Sequence, residues 1–419
     1  MNNNTPITMA VVGAGSRGTN CYAPYALYFP NQLQITAVAE PNEQRRKHFS
    51  EMYNVPLENQ FESWEELFEQ HKANAVLIAN DDAGHYGPIL KAMEQGWHIL
   101  AEKPITNNIS HLLQLKDKIL SYDKLFMVCH VLRYSPFFKK LKEILNSKQI
   151  GEIVSIQHNE NVGHFHQAHS FVRGNWGNSK TSSPMILAKC CHDMDILNFL
   201  IDKECLRVSS FGSLSHFKKE NAPEGATEMC LYGCPHLLTC PYSAARYLEQ
   251  DEKHLIPMYA DTVKLHWDSD DLAEALFAGP YGRCVYYCDN DVVDHQVVNL
   301  EYENNITVAF TMSGLTDLCN RTLKIMGTKG EIRAHMEMNE IISTDFRTGI
   351  ETKTTLNSDN DIHGGGDAGT IIQFIKLLMT NQYEVVKESN RQGILGHLMS
   401  FAAEKSRLKK CIVEMNSFI

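Results

Sequence analysis

The chain has 419 residues, enough for two domains, and its 43% hydrophobic and 21% charged residues are typical of a folded globular protein. Lys and Arg number 39 against 50 Asp and Glu, and the net charge of -11 comes without a basic tract that could follow a phosphate backbone. The sequence therefore predicts no nucleic-acid partner. It has no run of 18 apolar residues and no secretory signal, so we expect no membrane segment and a cytoplasmic location. In that reducing compartment the twelve cysteines are predicted to be free thiols or metal ligands.

The first predicted strand is the β-branched run ITMAVVG, which leads directly into a glycine-rich turn, GAGSRG. Gly13, Gly15 and Gly18 have the G-x-G-x-x-G spacing of a dinucleotide-binding turn. The first glycine permits the tight turn, the second lets the backbone approach a pyrophosphate, and the third lets helix and strand pack closely. The N-terminus of the next helix attracts the phosphate charge. The alternative is a glycine turn in an unrelated α/β protein.

The second predicted strand, LQITAVAE, ends in Glu40. A carboxylate at this position is expected to bind the ribose hydroxyls of the cofactor and to repel a 2′-phosphate. NAD is therefore predicted in preference to NADP, although Arg45 and Arg46 leave room for the phosphorylated form.

Two more helix and strand units follow. Helix signals in SWEELFEQH and GPILKAMEQG alternate with strand signals in NAVLIAN and WHILAEKP. In an open parallel sheet ligands bind beyond the carboxyl ends of the strands, which is where Asn80, Asp81 and Lys103 are expected. Lys103 is the first catalytic candidate. The alternative is a lysine at a strand end that pairs with Glu102.

These motifs resemble a known family. The glycine turn, His85 in NDDAGH, Gly96 and His98 in GWH, and AEKP at 101–104 are similar to the glucose-fructose oxidoreductase, inositol dehydrogenase and MocA (Gfo/Idh/MocA) family of NAD(P)-dependent oxidoreductases. The likeness is nearly continuous over residues 7–160 and returns in fragments to the end. The motif and the resemblance together give the predicted cofactor-binding residues: Gly13, Gly15, Ser16, Arg17, Gly18, Glu40, Asn80, Asp81, His85, Glu102 and Lys103.

The resemblance implies an α/β fold with an N-terminal Rossmann dinucleotide-binding domain and a C-terminal α/β domain built on a large, mostly antiparallel sheet. We place the NAD-binding domain at 1–135 and a domain for substrate binding and oligomerisation at 136–419, with a cysteine-rich insertion near 216–290. In such proteins the open sheet face commonly forms a subunit interface, so a homo-oligomer, dimer or tetramer, is expected.

The stretch ILAKCCHDMDIL, residues 186–197, is similar to the family's second signature, an aspartate followed after three residues by histidine and after two more by aspartate. His192 and Asp195 fit the last two positions, but Ala188 stands at the first. In the family the missing aspartate usually assists the histidine in moving the substrate's proton. On one continuous helix Ala188, Lys189 and Asp195 all neighbour His192. Lys189 or Asp195 is therefore expected to orient the ring, unless a different chemistry replaces the missing carboxylate.

Hydride transfer needs a group that accepts the proton of a hydroxyl. Histidine titrates near neutrality, and the pKa of a desolvated lysine falls, so we assign His192 as the proton acceptor or donor. Lys103 is expected to polarise the reacting oxygen. The alternative for His192 is a helix histidine bonded to Asp195. The adjacent Cys190 and Cys191 are predicted to be buried apolar side chains.

The segment HFHQAHSFVRGNWGNS, residues 164–179, combines three histidines with Arg173, Asn175 and Trp176. Polar groups that bond hydroxyls and an indole that stacks on a sugar ring suit a carbohydrate cleft, although a surface loop has the same composition. The predicted substrate-binding residues are His169, Arg173, Trp176, Lys189 and Asp195. His363 in HGGGDAG could reach the cleft, and Asp367 is a candidate N-cap.

The insertion contains CLYGCPHLLTCPYSAARY, and a further cysteine follows in PYGRC. Closely spaced thiolates can hold a structural zinc ion. The predicted ligands are Cys230, Cys234, Cys240 and Cys284, with His236 and Cys288 as alternatives, and independent free thiols are the other interpretation.

Three functions are compatible with these patterns. The leading one is an NAD-dependent dehydrogenase that acts on a hydroxyl carbon of a sugar, sugar derivative or cyclitol. The second is an NAD-dependent glycoside-cleaving enzyme that oxidises its substrate transiently without net NADH. The third is a nucleotide-sensing regulator without catalysis.

Overall fold

The first sheet is parallel and has the order of a dinucleotide-binding fold. A computed structural model of the chain describes residues 5–249, 256–265, 269–357 and 363–418. The sheet order is β3-β2-β1-β4-β5-β6. Successive strands are added on one side of β1 up to β3 and on its other side from β4 onward, so the topological switch point lies between β1 and β4. The six strands β1 to β6 are Ile7–Val12, Leu33–Ala39, Gln60–Phe61, Ala75–Ile78, His98–Ala101 and Phe126–Val128.

The second sheet is larger and mostly antiparallel. Within the described residues its order is β14-β13-β12-β11-β7-β10-β9-β8-β15, with β7 and β10 paired in parallel. The predicted fold class, a Rossmann sheet followed by an α/β domain with a large antiparallel sheet, is confirmed. The strands β7 to β15 are Ile153–Asn161, Cys205–Ser213, His295–Tyr302, Ile306–Ser313, Asn320–Gly327, Gly330–His335, Glu340–Asp345, Glu351–Thr355 and Val413–Glu414.

Helices cover both sheets. None of those in the described part of the chain carries an apolar stretch long enough to cross a bilayer. The helices α1 to α13 are Pro24–Tyr28, Glu43–Tyr53, Trp64–Gln70, Tyr86–Glu94, Ile109–Ser121, Pro136–Asn146, His164–Ala168, Met185–Ala188, Cys191–Ile201, Ile256–Val263, Ser269–Ala278, Gly366–Thr380 and Lys387–Lys409.

The glycine turn after β1 requires glycine at two of its three motif positions. Gly13 has a φ of 94°, and a Cβ there would lie 2.5 Å from the backbone nitrogen of Asn80. A Cβ on Gly18 would lie 2.3 Å from the carbonyl oxygen of Gly13. At Gly15 a Cβ would meet nothing within 4 Å, so the backbone there faces open space. That space is where the motif lets a pyrophosphate approach.

Helix α12, although it lies near the C-terminus, belongs to the core of the first sheet. Its buried Ile371 and Phe374 pack in one cluster with Val11, Leu77 and Leu100 from strands β1, β4 and β5. The two predicted domains therefore share a core across residue 135, and the boundary itself stays a prediction. This packing brings the start of α12 to the carboxyl edge of the first sheet.

The outward face of the second sheet carries exposed apolar side chains. Phe211 on β8 is paired in register with Val297 on β9, and they are 69% and 38% exposed. The predicted homo-oligomer and the predicted cytoplasmic location stay predictions.

Two alanine substitutions separate folding from cofactor binding in the glycine turn. We expect Gly13→Ala to lower the free energy of unfolding by at least about 1 kcal/mol, because the left-handed φ and the Asn80 backbone both oppose a Cβ. Gly15→Ala is the matched control, and it should leave stability within about 0.5 kcal/mol of the parent. It should weaken NAD binding at least about tenfold. Urea denaturation and calorimetric titration with NAD test this pair, and equal stability losses would contradict the assignment.

Candidate active site

Lys103 and His192 lie together at the junction of the two sheets. Lys103 follows the carboxyl end of β5, and its ammonium donates a hydrogen bond of 2.8 Å to the carbonyl oxygen of Ala188. Ala188 ends α8, and His192 lies in the first turn of α9. The charge of Lys103 contributes to the low pKa of His192. The ammonium after strand β5 and the imidazole on helix α9 therefore lie near each other.

His192 is held in its neutral form. Its side chain is 3% exposed, and its Nδ1 is buried without a hydrogen-bond partner among the described residues. Burial, followed by the charges of Lys103 and His363, holds the pKa of the imidazole well below its usual range. At neutral pH this ring is therefore uncharged, and one of its nitrogens carries no proton.

The predicted continuous helix through residues 186–197 is wrong. Helix α8 ends at Ala188 and α9 begins at Cys191, with Lys189 and Cys190 as the link. The offset argument therefore fails for Lys189, whose ammonium lies 3.3 Å from Glu160 Oε1 instead. The buried Cys190 and Cys191 confirm their predicted apolar role.

Asp195 lies on α9 with His192, but both of its carboxylate oxygens accept hydrogen bonds from Arg133. The distances are 2.6 Å from Nε and 2.7 Å from Nη2, and both side chains are buried. The expectation that Lys189 or Asp195 orients the His192 ring is not supported, because each has another partner. Their predicted role in substrate binding stays untested.

Glu102 links the glycine turn to Lys103, the predicted catalytic lysine. Its Oε1 accepts from Arg17 Nε at 2.6 Å and from the Tyr22 hydroxyl at 2.7 Å, and its Oε2 accepts from the backbone N–H of Lys103 at 2.9 Å. Burial alone would raise the pKa of this carboxyl, but the charges of Arg17 and Lys103 and the hydrogen bonds lower it. Glu102 is thus an anion that fixes the backbone of Lys103 while the Lys103 ammonium points at Ala188.

Asp367 is not the helix cap that its position suggested. Helix α12 begins at Gly366, and its N-cap, Gly365, makes no side-chain cap. The Asp367 carboxylate accepts two hydrogen bonds from Arg17, at 2.7 and 3.0 Å, and lies 2.9 Å from Nδ1 of His363. Because Arg17 is held by Asp367 and Glu102, its guanidinium is engaged inside the protein. Its predicted contact with a cofactor stays a prediction.

The other predicted cofactor residues lie at the carboxyl edge of the first sheet. The Glu40 carboxylate accepts from the backbone N–H groups of Ala14 and Asn42, at 2.9 and 3.0 Å, which holds it against the glycine turn. His85 lies between the carbonyl oxygens of Asn80 and Pro104, at 3.0 and 2.6 Å, and so ties the loops after β4 and β5 together. With the open space beside Gly15, this edge suits a dinucleotide.

The histidine-rich segment is bound mainly to the insertion. His169 is buried, has its Nδ1 2.6 Å from the Tyr247 hydroxyl, and stacks on Tyr259 and Tyr281. Arg173 is also buried and donates to backbone carbonyls of the insertion. These contacts explain the two residues as anchors of the insertion, and their predicted substrate contacts gain no support.

Trp176 contacts the loop after strand β4 instead of the insertion. Its indole N–H donates to Asp82 Oδ1 at 3.2 Å, and the hydroxyl of Ser183 donates to Asp82 Oδ2 at 2.6 Å. Asp82 follows strand β4, so this contact joins the segment to the loop of Asn80 and Asp81. The tryptophan therefore lies at the rim of the cofactor edge, and stacking on a sugar stays a prediction.

A buried charged cluster beside the site was missed. Arg321 on β11 lies 2.8 Å from Glu160 Oε2 and 2.9 Å from Asp193 Oδ1, and His158 lies 2.8 Å from the same Asp193 oxygen. The alternation of β7 carried a signal, because His158 and Glu160 share the buried face of that strand with Ile156. Charged residues at core positions of an alternating strand indicate a buried partner.

The zinc prediction is not supported. No group of three or more potential metal ligands was found among the described residues, and the cysteines described are free. The Cys230 sulfur instead accepts from Arg173 at 3.7 Å, and the neighbouring Cys284 thiol and the Arg173 charge lower the pKa of Cys230 to about 5. Cys234 and Cys240 do not join this pair in a common ligand set. Spacing along the chain did not reveal that an arginine occupies the place beside the Cys230 sulfur.

A parallel nucleotide-binding sheet, a large antiparallel sheet and a lysine–histidine pair between them define an NAD(P)-dependent dehydrogenase of two domains. The chain belongs to the Gfo/Idh/MocA oxidoreductase family. The family model described as the NAD-binding Rossmann fold matches residues 7–130, and the model described as the C-terminal alpha/beta domain matches residues 142–392.

Individual relatives are distant. An oxidoreductase by name, YteT of Bacillus subtilis (strain 168), is 23% identical over 376 residues, which cover 85% of each chain. The crystal structure of scyllo-inositol dehydrogenase from Lactobacillus casei with NAD(H) and scyllo-inositol has a TM-score of 0.68 at 16% identity, covering 98% of this chain and all of that one. Levoglucosan dehydrogenase in complex with NADH and levoglucosan has a TM-score of 0.69 at 15% identity, with coverage of 98% and 100%. At these identities the two structures show the fold.

The buried cluster generates a stability prediction. Arg321→Met would remove the arginine that Glu160 and Asp193 share and leave each with a single partner, Lys189 and His158, so we expect a loss of about 3–5 kcal/mol. That loss should shrink as pH falls, because protonation removes the uncompensated charge. The control is Arg333→Met, which breaks an exposed pair between β12 and Glu351 on β14, two strands away, and should cost at most about 1 kcal/mol. Urea denaturation measures both, and equal losses would show that the cluster is not a compensated charge network.

Proposed function

We propose that the protein is an NAD-dependent dehydrogenase that oxidises or reduces a hydroxyl carbon of a sugar, sugar derivative or cyclitol. The observation that carries this proposal is the hydrogen bond from the Lys103 ammonium to the carbonyl oxygen of Ala188, close to the buried, neutral His192. Acid–base chemistry on a hydroxyl needs both a base and a positive charge at the oxygen.

The roles follow from the charges at the site. In the oxidative direction neutral His192 accepts the hydroxyl proton, and the nearby Lys103 ammonium stabilises negative charge that develops on the same oxygen. NAD supplies the hydride acceptor when it is bound. Burial of His192 keeps water from competing for the proton. Glu102 maintains this arrangement because it holds the backbone of Lys103.

Support for the substrate class comes from the comparisons. The names of two structural neighbours refer to scyllo-inositol and levoglucosan, both rings that carry several hydroxyl groups. Support for NAD comes from Glu40, because its carboxylate lies at the turn where NADP would place a 2′-phosphate. The glycoside-cleaving and sensing alternatives gain no support from these relatives.

Turnover and the role of Lys103 are tested together. The protein is assayed with NAD and scyllo-inositol, levoglucosan or a nitrophenyl glycoside, and we expect NADH to accumulate with a cyclic polyol. Lys103→Met should lower kcat at least about 100-fold and leave NAD affinity within about twofold, because the ammonium acts on the substrate oxygen. Lys91→Met, which removes an exposed lysine on α4, is the control and should be fully active.

Each other result has a defined meaning. Release of nitrophenol without net NADH would overturn the proposal in favour of glycoside cleavage. NAD binding without turnover of any of these substrates would favour a sensor. An unchanged rate for Lys103→Met would remove the lysine from the chemistry.

The cofactor preference depends on Glu40. We expect Glu40→Ala to narrow the ratio of kcat/KM for NAD over NADP by about tenfold, since the charge that repels a 2′-phosphate is gone. Steady-state kinetics with both cofactors measure the ratio. An unaltered ratio would mean that another group discriminates between them.

A further inference from the structure

A second histidine stands beside His192. The ring of His363 lies with its centroid 5.5 Å from that of His192, at an interplanar angle of 53°. His363 comes from the glycine-rich segment before α12, far along the chain from α9, and its side chain is 13% exposed. The structure describes both rings and shows no direct hydrogen bond between them, and at this separation one bridging water can join them.

His363 is oriented by a carboxylate. Its Nδ1 lies 2.9 Å from Asp367 Oδ2, and Asp367 is in turn held by both terminal nitrogens of Arg17. A carboxylate anion only accepts hydrogen bonds, so Nδ1 of His363 donates and carries the proton. Nε2 of His363 is then the acceptor nitrogen of the neutral ring. The His192 segment has alanine where the family has a carboxylate. Here the carboxylate is that of Asp367, and it contacts His363 instead of His192.

We propose that His363, oriented by Asp367, receives the proton from His192 and takes the part of the carboxylate absent at Ala188. This inference rests on the proposed function. In the oxidative direction the substrate O–H bond breaks and its proton goes to His192, while the hydride leaves the carbon for NAD and a carbonyl forms. The proton then passes from His192 to Nε2 of His363 and from there to solvent, which restores neutral His192.

The charges around the two rings favour this direction of transfer. The groups that act on His192 are Lys103, His363, Arg321 and His130, and each disfavours a cation there. Burial lowers the pKa of His363, with smaller contributions from Arg17 and Lys189, and the Asp367 carboxylate opposes this lowering. The anion therefore lies beside the outer ring, and a proton is more stable on His363 than on His192.

The kinetic test compares His363→Ala with a control of the same kind. His295, at the start of strand β9, forms a His–Asp pair outside the site, with its Nδ1 2.7 Å from Asp294 Oδ1. With NAD and the polyol that wild type oxidises, His363→Ala should lower kcat about 10- to 100-fold and leave NAD affinity unchanged. Exogenous imidazole should restore the rate of His363→Ala. His295→Ala should keep the wild-type rate and show no effect of imidazole.

Two kinetic results would overturn the inference. One is a kcat for His363→Ala within twofold of wild type. The other is a lower kcat that imidazole does not restore and that falls together with NAD affinity, which indicates a purely structural role. Asp367→Asn is a second variant, and it should shift the kcat–pH profile while the protein stays folded.

A second measurement does not need turnover. The titration of His192 is followed by nitrogen-15 NMR in full-length protein loaded with NAD, with His192→Gln to assign the signal. We expect His363→Gln to raise the pKa of His192, because a neighbour that becomes a cation is removed, and His295→Gln to leave it unchanged. An unchanged titration in His363→Gln would overturn the pairing. If wild type shows no turnover but the His192 titration shifts in His363→Gln, only the proposed function is contradicted. If wild type turns over and His363→Ala is fully active, only the proton relay is contradicted.

Discussion

The site depends on one buried anion, Glu102, and on the arginine that neutralises it. Arg17 joins the Glu102 carboxylate to Asp367, so a residue of the cofactor turn holds the end of β5 and the start of α12 at the same time. A buried charge is stable only when it is paired and hydrogen-bonded, and Glu102 meets that condition with three donors. Loss of Arg17 would therefore disturb the backbone of Lys103 and the position of His363 together.

Positive and negative charges are distributed unevenly around His192. Around His192 the neighbouring groups are mostly cations or histidines, which together with burial keeps the imidazole neutral. The carboxylates nearby are each compensated: Glu102 by Arg17, Asp195 by Arg133, and Asp193 by Arg321. Compensation of this kind costs stability through desolvation but sets fixed orientations, which the chemistry of hydride and proton transfer requires.

Local patterns in the sequence predicted much of the fold and part of the site. The G-x-G-x-x-G turn and the alternating units before Lys103 depend on short-range geometry, and the first sheet confirms them. The continuous helix predicted for ILAKCCHDMDIL was wrong because the helix breaks at Lys189, whose ammonium pairs with Glu160 on strand β7. The zinc site predicted from the cysteine spacing is not supported, for a similar reason. Arg173, from a different segment, donates a hydrogen bond to the Cys230 sulfur.

The sequence by itself determined the order of the strands along the chain and the glycine positions of the turn, and it predicted Lys103 and His192 as the groups that act on a hydroxyl. Only the tertiary structure decided which charges face each other: Asp367 became a partner of Arg17 and His363 rather than a helix cap, and Asp195 a partner of Arg133 rather than of His192. The physical reason is that local propensity acts over a few residues, whereas the pairing of buried charges is selected by the cost of leaving any of them alone in the core.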